Sequence, residues 1–169
     1  MKIVSIDPGY ERIGIAVLES GISKEIVLYS DCFQTSGKDS FGKRLLQIGI
    51  EVERIVALHS PNAIALEKLF FNTNQKTAMH VAEVRGALLY IAQRAGVGVY
   101  EYTPLQIKMA ILGYGRGEKQ QVIDMVKRLV VISKNIRYDD EYDAIAIGLT
   151  CLAYEKNSLL KQQHSKNMA

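Results

Sequence analysis

The stretch Lys2-Ile3-Val4-Ser5-Ile6-Asp7-Pro8-Gly9 decides how this chain is read. An apolar, β-branched run ends in an acid and then a Pro-Gly pair, so the segment reads as a strand that stops at a turn. Residues 13 to 19 (Ile13-Gly14-Ile15-Ala16-Val17-Leu18-Glu19) read as a second strand, making a hairpin with the first. Residues 25 to 33, with their polar end at Asp31-Cys32-Phe33, read as a third strand at the sheet edge.

From about Asp39 the period changes. Phe41, Leu45, Ile48, Val52, Ile55 and His59 recur at steps of four and three, one face of a helix. Ser60-Pro61-Asn62 stops it, and Ala63-Ile64-Ala65-Leu66-Glu67 reads as a buried strand between two helices, as a parallel crossover requires. An Ala-rich helix over 75–95 ends at Gly96, and 97–102 forms a further strand. Thr103-Pro104 is an N-cap followed by Pro at the first helical position, opening a short helix that runs to Gly113. Past the break Gly113-Tyr114-Gly115-Arg116-Gly117, a helix from about Glu118 carries Val122, Met125, Val126, Leu129 and Val130 on one face. The last helix spans 140–155, with Ile145, Leu149 and Leu152 inward. The order predicts an α/β fold with a mixed sheet flanked by helices on both faces. Residues 1–155 are expected to form one domain without linker or internal repeat, and the polar tail 156–169 is expected to fray.

The formal net charge is only +3, from 21 basic and 18 acidic residues. Its distribution says more. Lys108 to Arg137 holds seven basic residues against Glu118 and Asp124, and Asp139, Asp140, Glu141 and Asp143 follow directly. A basic stretch beside an acidic cluster suits an enzyme that grips a polyanion and holds metal at its cutting point. Two solvated helix faces would give the same pattern. Cys32 and Cys151 form no CxxC pair, which excludes a zinc framework and fits packed thiols in a reducing cytoplasm. No apolar run is long enough to span a bilayer, and the N-terminus reads as a strand rather than a leader.

Asp7 and Glu67 each sit at the carboxyl end of a buried strand, where sites in open α/β sheets form. Asp140 and Asp143 lie three apart on the first turn of the last helix, hence on one face. Acids gathered there repel one another unless a cation neutralises them. Oxygen-only ligands suit hard divalent ions, and a pair of such ions can drive phosphodiester hydrolysis. Each acid also has a plainer reading: Asp7 as a turn residue, Asp139 and Asp140 as helix caps, Asp143 as a dipole partner. Glu67 in an apolar strand is the hardest to explain that way. Lys108 and Lys119 flank the Gly-rich break as mobile point charges suited to phosphate. Of Phe70 and Phe71, just past a strand tip, one ring could stack on an unpaired base, with Phe71 the better core candidate. His59, His80 and His164 show no metal-ligand spacing.

These motifs, in this order, resemble the RuvC family of Holliday-junction resolvases. Ile6-Asp7-Pro8-Gly9 with Arg12-Ile13-Gly14 is similar to its first motif, and Ala65 to Asn72 to its second. Thr77-Ala78 and Arg85-Gly86 continue the match, as do Lys108 and Gly117 to Val122. Asp140 to Ile147 is similar to its closing motif. The resemblance implies an RNase H-like fold and a homodimeric nuclease that cuts two strands of four-way junction DNA. It implies Asp7, Glu67, Asp140 and Asp143 as catalytic, metal-binding acids for Mg²⁺, two ions per site, with Mn²⁺ as a substitute. It implies Lys108 and Lys119 as phosphate contacts, Phe70 as a base-stacking ring, and RuvA and RuvB as working partners. Lys68 and Ala82-Glu83-Val84 depart from the family pattern, which bears on DNA contacts but not on the acids. Two rival readings stand beside this one: a junction-binding domain on the same fold without catalysis, which should lack part of the acidic set, and a fragment of an actin-like ATPase, whose first strand also ends in an Asp-x-Gly turn but which should be far longer.

Overall fold

The computed structural model describes residues 1–68 and 75–167, with side chains over 1–68 and 77–158. Its elements run β1 (Lys2–Asp7), β2 (Arg12–Glu19), β3 (Ile26–Gln34), α1 (Phe41–His59), β4 (Ala63–Glu67), α2 (Gln75–Arg94), β5 (Gly98–Tyr102), α3 (Pro104–Leu112), α4 (Lys119–Leu129) and α5 (Asp139–Asn167). The five strands form one mixed sheet in the order β3-β2-β1-β4-β5. The β1–β2 and β2–β3 pairs are antiparallel, and β1–β4 and β4–β5 are parallel. This is the expected architecture, with β3 at the edge.

Strand side chains alternate between two faces. Val4, Ile6, Ile13, Ile15, Val17, Ile64 and Leu66 pack under α1 and α2, against Ile48, Val52, Val84 and Leu88. Ile3, Ala16, Leu18, Ala63 and Ala65 pack under α3, α4 and α5, against Ile107, Val126, Ala144 and Ile145. The second face is floored by small residues, and that lets α5 lie close to the sheet. A Cβ at Gly148 would press on Leu18 and Ser5 from the helix side, and one at Gly14 would strike the Asp140 carbonyl from the strand side.

Helix ends follow the sequence cues. Thr103 and Gln106 form a reciprocal capping box at α3, and at the start of α4 the Gln121 side chain accepts a hydrogen bond from the Glu118 backbone N–H. Gly113 ends α3 in the left-handed region at φ 82°. Two details differ from expectation. Leu129 is exposed rather than inward. α5 runs past residue 155, where the apolar pattern ends it, to Asn167. Residues 156–167 contain no Gly or Pro and are rich in Lys, Gln and Leu, good helix formers. Polarity there removes a packing face, not the propensity to stay helical. No helix among the described residues is long and apolar enough to cross a membrane.

Candidate active site

The strand period places the acids. Ile3 and Ser5 face α5, so Asp7, two steps further, faces α5 as well. Ala63 and Ala65 face α5, and Glu67 continues that row. Ile6 pairs with Leu66 in the parallel register, so Asp7 and Glu67 are neighbours at the carboxyl edge. On the other side Asp7 pairs with Gly14, and Gly14 with Cys32. One row across the sheet therefore reads Cys32, Gly14, Asp7, Glu67. The first turn of α5 crosses this row at its glycine, which brings Asp140 and Asp143 over it.

The electrostatics are those of crowded carboxylates. Burial first, then Asp143, Glu67 and Asp140, hold the Asp7 carboxyl well above its ordinary range. No described residue gives the Asp7 carboxyl a hydrogen bond or ion pair. Burial and then Asp143 push Glu67 up to about 7. Asp143 is also raised, by burial, although Lys119 opposes the shift.

Lys119 is the internal counter-ion. Its Nζ lies 2.5 Å from Asp139 Oδ2 and 2.8 Å from Asp143 Oδ2. Burial alone pulls this ammonium down, but the two ion pairs outweigh it and hold it above its ordinary value. Asp139 is lowered in turn by its bond to Lys119. Asp139, which the sequence suggests as a cap, is thus part of the charge network. Asp140 has its own cation, with Arg12 Nε 3.1 Å from Oδ2. The Cys32 Sγ lies 3.9 Å from the same oxygen, and burial pushes its thiol up to about 11, so it stays protonated.

A cleft of about 270 Å³ opens beside the acids. Glu67, Asp143, Lys108 and Lys119 line it, over an apolar floor that includes Ile107 and Val122. The structure thus brings together the four acids and both lysines singled out from the sequence. Phe70 lies outside the described residues. His80 stacks on Phe41 at 4.1 Å and sits 3.1 Å from Glu83, and His59 lies against Tyr29, so neither approaches the acids as a ligand. Arg85, in the segment after the second motif, is ion-paired to Glu101 and ties α2 to β5. Arg12 and Cys32 also border the site, although neither stands among the residues the sequence singles out for it. Their signal was the two-residue period from Gly14, read together with the β2–β3 register.

The donor set fits a divalent cation. It is all oxygen, it contains a half-buried carboxyl without a side-chain partner among the described residues, and burial with neighbouring carboxylates raises the proton affinity of Asp7, Glu67 and Asp143. Among the described residues no three ligands already converge into a cage. Lys119 and Arg12 hold Asp143 and Asp140 instead. An ion would compete with these cations, and phosphate and water would complete its shell.

The Glu67 shift gives a test in metal-free protein. Its folded value of about 7 stands above the ordinary 4.5, so between those values the folded state keeps a proton that the unfolded chain releases. Stability from this group is therefore fully present below 4.5 and falls as pH rises to about 7. In EDTA, wild-type melting should drop more than that of Glu67→Gln between about pH 5 and about pH 8. Parallel curves would show that Glu67 titrates normally.

Comparison with known proteins gives consistent matches. The family model described as crossover junction endodeoxyribonuclease RuvC matches residues 3–151. A crossover junction endodeoxyribonuclease RuvC of Caldanaerobacter subterraneus subsp. tengcongensis is 40% identical over 160 residues, covering 94% of this chain and 96% of the relative. One from Thermosipho melanesiensis is 43% identical over 155 residues, covering 92% and 98%. Among solved structures, T. thermophilus RuvC in complex with Holliday junction substrate superposes with a TM-score of 0.87 at 32% identity, covering 94% of this chain and 96% of that one. The yeast mitochondrial Holliday junction resolvase, 12% identical with a TM-score of 0.74, shares the fold.

Proposed function

We propose that this chain, which belongs to the RuvC family of crossover junction endodeoxyribonucleases, resolves four-way DNA junctions by hydrolysing phosphodiester bonds at the acidic cluster described above. The observation that carries the assignment of the site is the row Asp7–Glu67 lying under Asp140 and Asp143, with Lys108 and Lys119 in the adjoining cleft. Asp7 and Glu67 hold the inner side of the metal site, and Asp140 and Asp143 complete it from α5. These four carboxylates would hold Mg²⁺, or Mn²⁺ in its place, two ions per site, and the bound charge would serve to activate water and to stabilise the leaving oxygen. The protein's own part is positional. The sheet edge fixes Asp7 and Glu67, α5 fixes the other pair, and the lysine ammoniums receive the phosphate. Paired symmetric cuts call for a two-fold assembly, so the working unit is a homodimer acting with the RuvA and RuvB branch-migration proteins in the cytoplasm. Phe70 stacks on a base at the junction in this reading.

All four acids are present, unlike the set expected of a silent binding domain. The family match along nearly the whole chain leaves no role for the actin-like alternative. The test is cleavage of a synthetic four-way junction beside a linear duplex of the same sequence, with Mg²⁺ and with EDTA. Paired nicks on the junction alone, lost in EDTA, support the reading. Tight junction binding without nicks in any metal overturns it in favour of the silent module.

Lys119 must release Asp139 and Asp143 to meet phosphate. Lys119→Ala is expected to slow single-turnover cleavage roughly ten- to hundredfold, the cost of one charge-assisted contact. The deficit should depend on salt, because the variant releases about one fewer counter-ion per junction bound. A wild-type rate at every salt concentration would show that Lys119 serves only as a counter-ion for the acids.

A further inference from the structure

Hydrolysis by the four acids and two lysines leaves Arg12 without a role. This residue opens β2 and, in the same two-step row as Gly14 and Ala16, faces α5. Three contacts fix it. The Gly9 turn folds tightly against its carbonyl, its Nε reaches Asp140, and its guanidinium lies over the Tyr138 ring at 5.2 Å. Arg137 stacks on the same ring at 5.1 Å. The Arg12 side chain is nonetheless 46% exposed, and no described residue accepts a hydrogen bond from its two Nη atoms.

A half-exposed ion pair contributes little stability, so holding Asp140 is a weak reason for so constrained an arginine. Contact with the Tyr138 face helps fix the position of the planar guanidinium, and its outer edge carries no partner among the described residues. A flat, open fork is the geometry that takes phosphate oxygens in a bidentate way. It is also one residue contact away from a proposed catalytic acid, and a second guanidinium sits on the same ring.

We propose that Arg12 binds a backbone phosphate of the cleaved strand through its Nη edge, beside the scissile phosphate, while its Nε keeps Asp140 in place. Tyr138 orients the fork and Arg137 adds a second positive charge. This rests on the junction-cleaving reading. The lysines at the cleft grip as mobile point charges. Arg12 sets the register of the strand, because a bidentate contact fixes direction as well as distance.

The test is junction binding in EDTA over a range of salt, with thermal melting as the check on folding. Wild-type protein must bind the junction for the family reading to stand, which separates that failure from failure of Arg12. Arg12→Ala is expected to weaken binding and to reduce the slope of log affinity against log salt by about 0.9, one phosphate contact. The same reduction is expected in an Asp140→Asn background, since the contact is to DNA and not through the acid. Arg12→Lys should keep the salt slope, because the charge remains, but lose at least tenfold in single-turnover cleavage, because the fork is gone. Wild-type slope and affinity in Arg12→Ala, or an effect that vanishes with Asp140→Asn, overturns the proposal and leaves Arg12 as a counter-ion for Asp140. If the alanine variant does not fold, wild-type cleavage by Arg12→Lys overturns it.

Discussion

Asp7→Asn is expected to abolish junction cleavage and, in the same protein, to raise the metal-free melting temperature. The two effects have one cause. Asp7 faces Glu67, Asp140 and Asp143 across a half-buried space and has no partner of its own among the described residues. Its neutral isostere keeps the volume and removes one of the mutually repelling charges. Relief of the charge repulsion and desolvation that raise the Asp7 carboxyl is on the order of 1–2 kcal/mol. For a chain of this size that is roughly 2–8 °C. The same substitution removes the most enclosed of the four carboxylates proposed to hold the cation, so added Mg²⁺ should raise the melting temperature of wild type but do so far less for the variant. Junction binding should be retained or tighter, since one charge that repels phosphate is gone. Melting in EDTA and in Mg²⁺, beside junction cleavage and binding, reads all of these. A lower melting temperature in EDTA would mean that Asp7 is a structural turn residue. Cleavage within tenfold of wild type would remove it from the catalytic set.

The sequence made Asp7 and Glu67 legible for a local reason. Each ends an apolar run at a strand tip, and the two-residue period assigns its face once a neighbouring core residue is placed. Asp140 and Asp143 were legible as a pair from helical spacing. The charge network between them was not. Lys119 reaches Asp139 and Asp143 because α4 docks beside α5, and that docking depends on tertiary packing of Val122 and Val126 rather than on any local pattern. Arg12 and Cys32 were hidden for a related reason. Both lie in line with Asp7 only through strand register, which a single sequence reports weakly. The reach of α5 is hidden because the apolar pattern ends near residue 155, while 156–167 carries no Gly or Pro and is rich in good helix formers, so the helix continues without a packing face.

The glycine in that row carries the other large effect. Gly14 lies directly beneath the first turn of α5, and a Cβ there would collide with the backbone carbonyl of Asp140 and crowd the Ala144 methyl. Backbone cannot rotate away as a side-chain end can, so α5 must lift or slide. Its first turn carries Asp140 and Asp143, while Asp7 and Glu67 stay with the sheet. Gly14→Ala therefore separates the two halves of the site. A misplacement of about 1 Å at a catalytic group can cost roughly a hundredfold in rate. Overpacking at such a contact costs about 1–3 kcal/mol. The expected result is cleavage reduced at least a hundredfold, with a lower melting temperature and a smaller Mg²⁺-induced shift. Gly42→Ala is the control. That position on α1 has open space around it, and adding a methyl to a helix there should be neutral or stabilising by up to about 1 kcal/mol. If Gly14→Ala melts like wild type and cleaves like wild type, α5 does not sit on Gly14. The convergence of the four acids would then need another geometry. If it melts lower yet cleaves normally, the helix tolerates the shift and the acids are less closely coupled than their shared row implies.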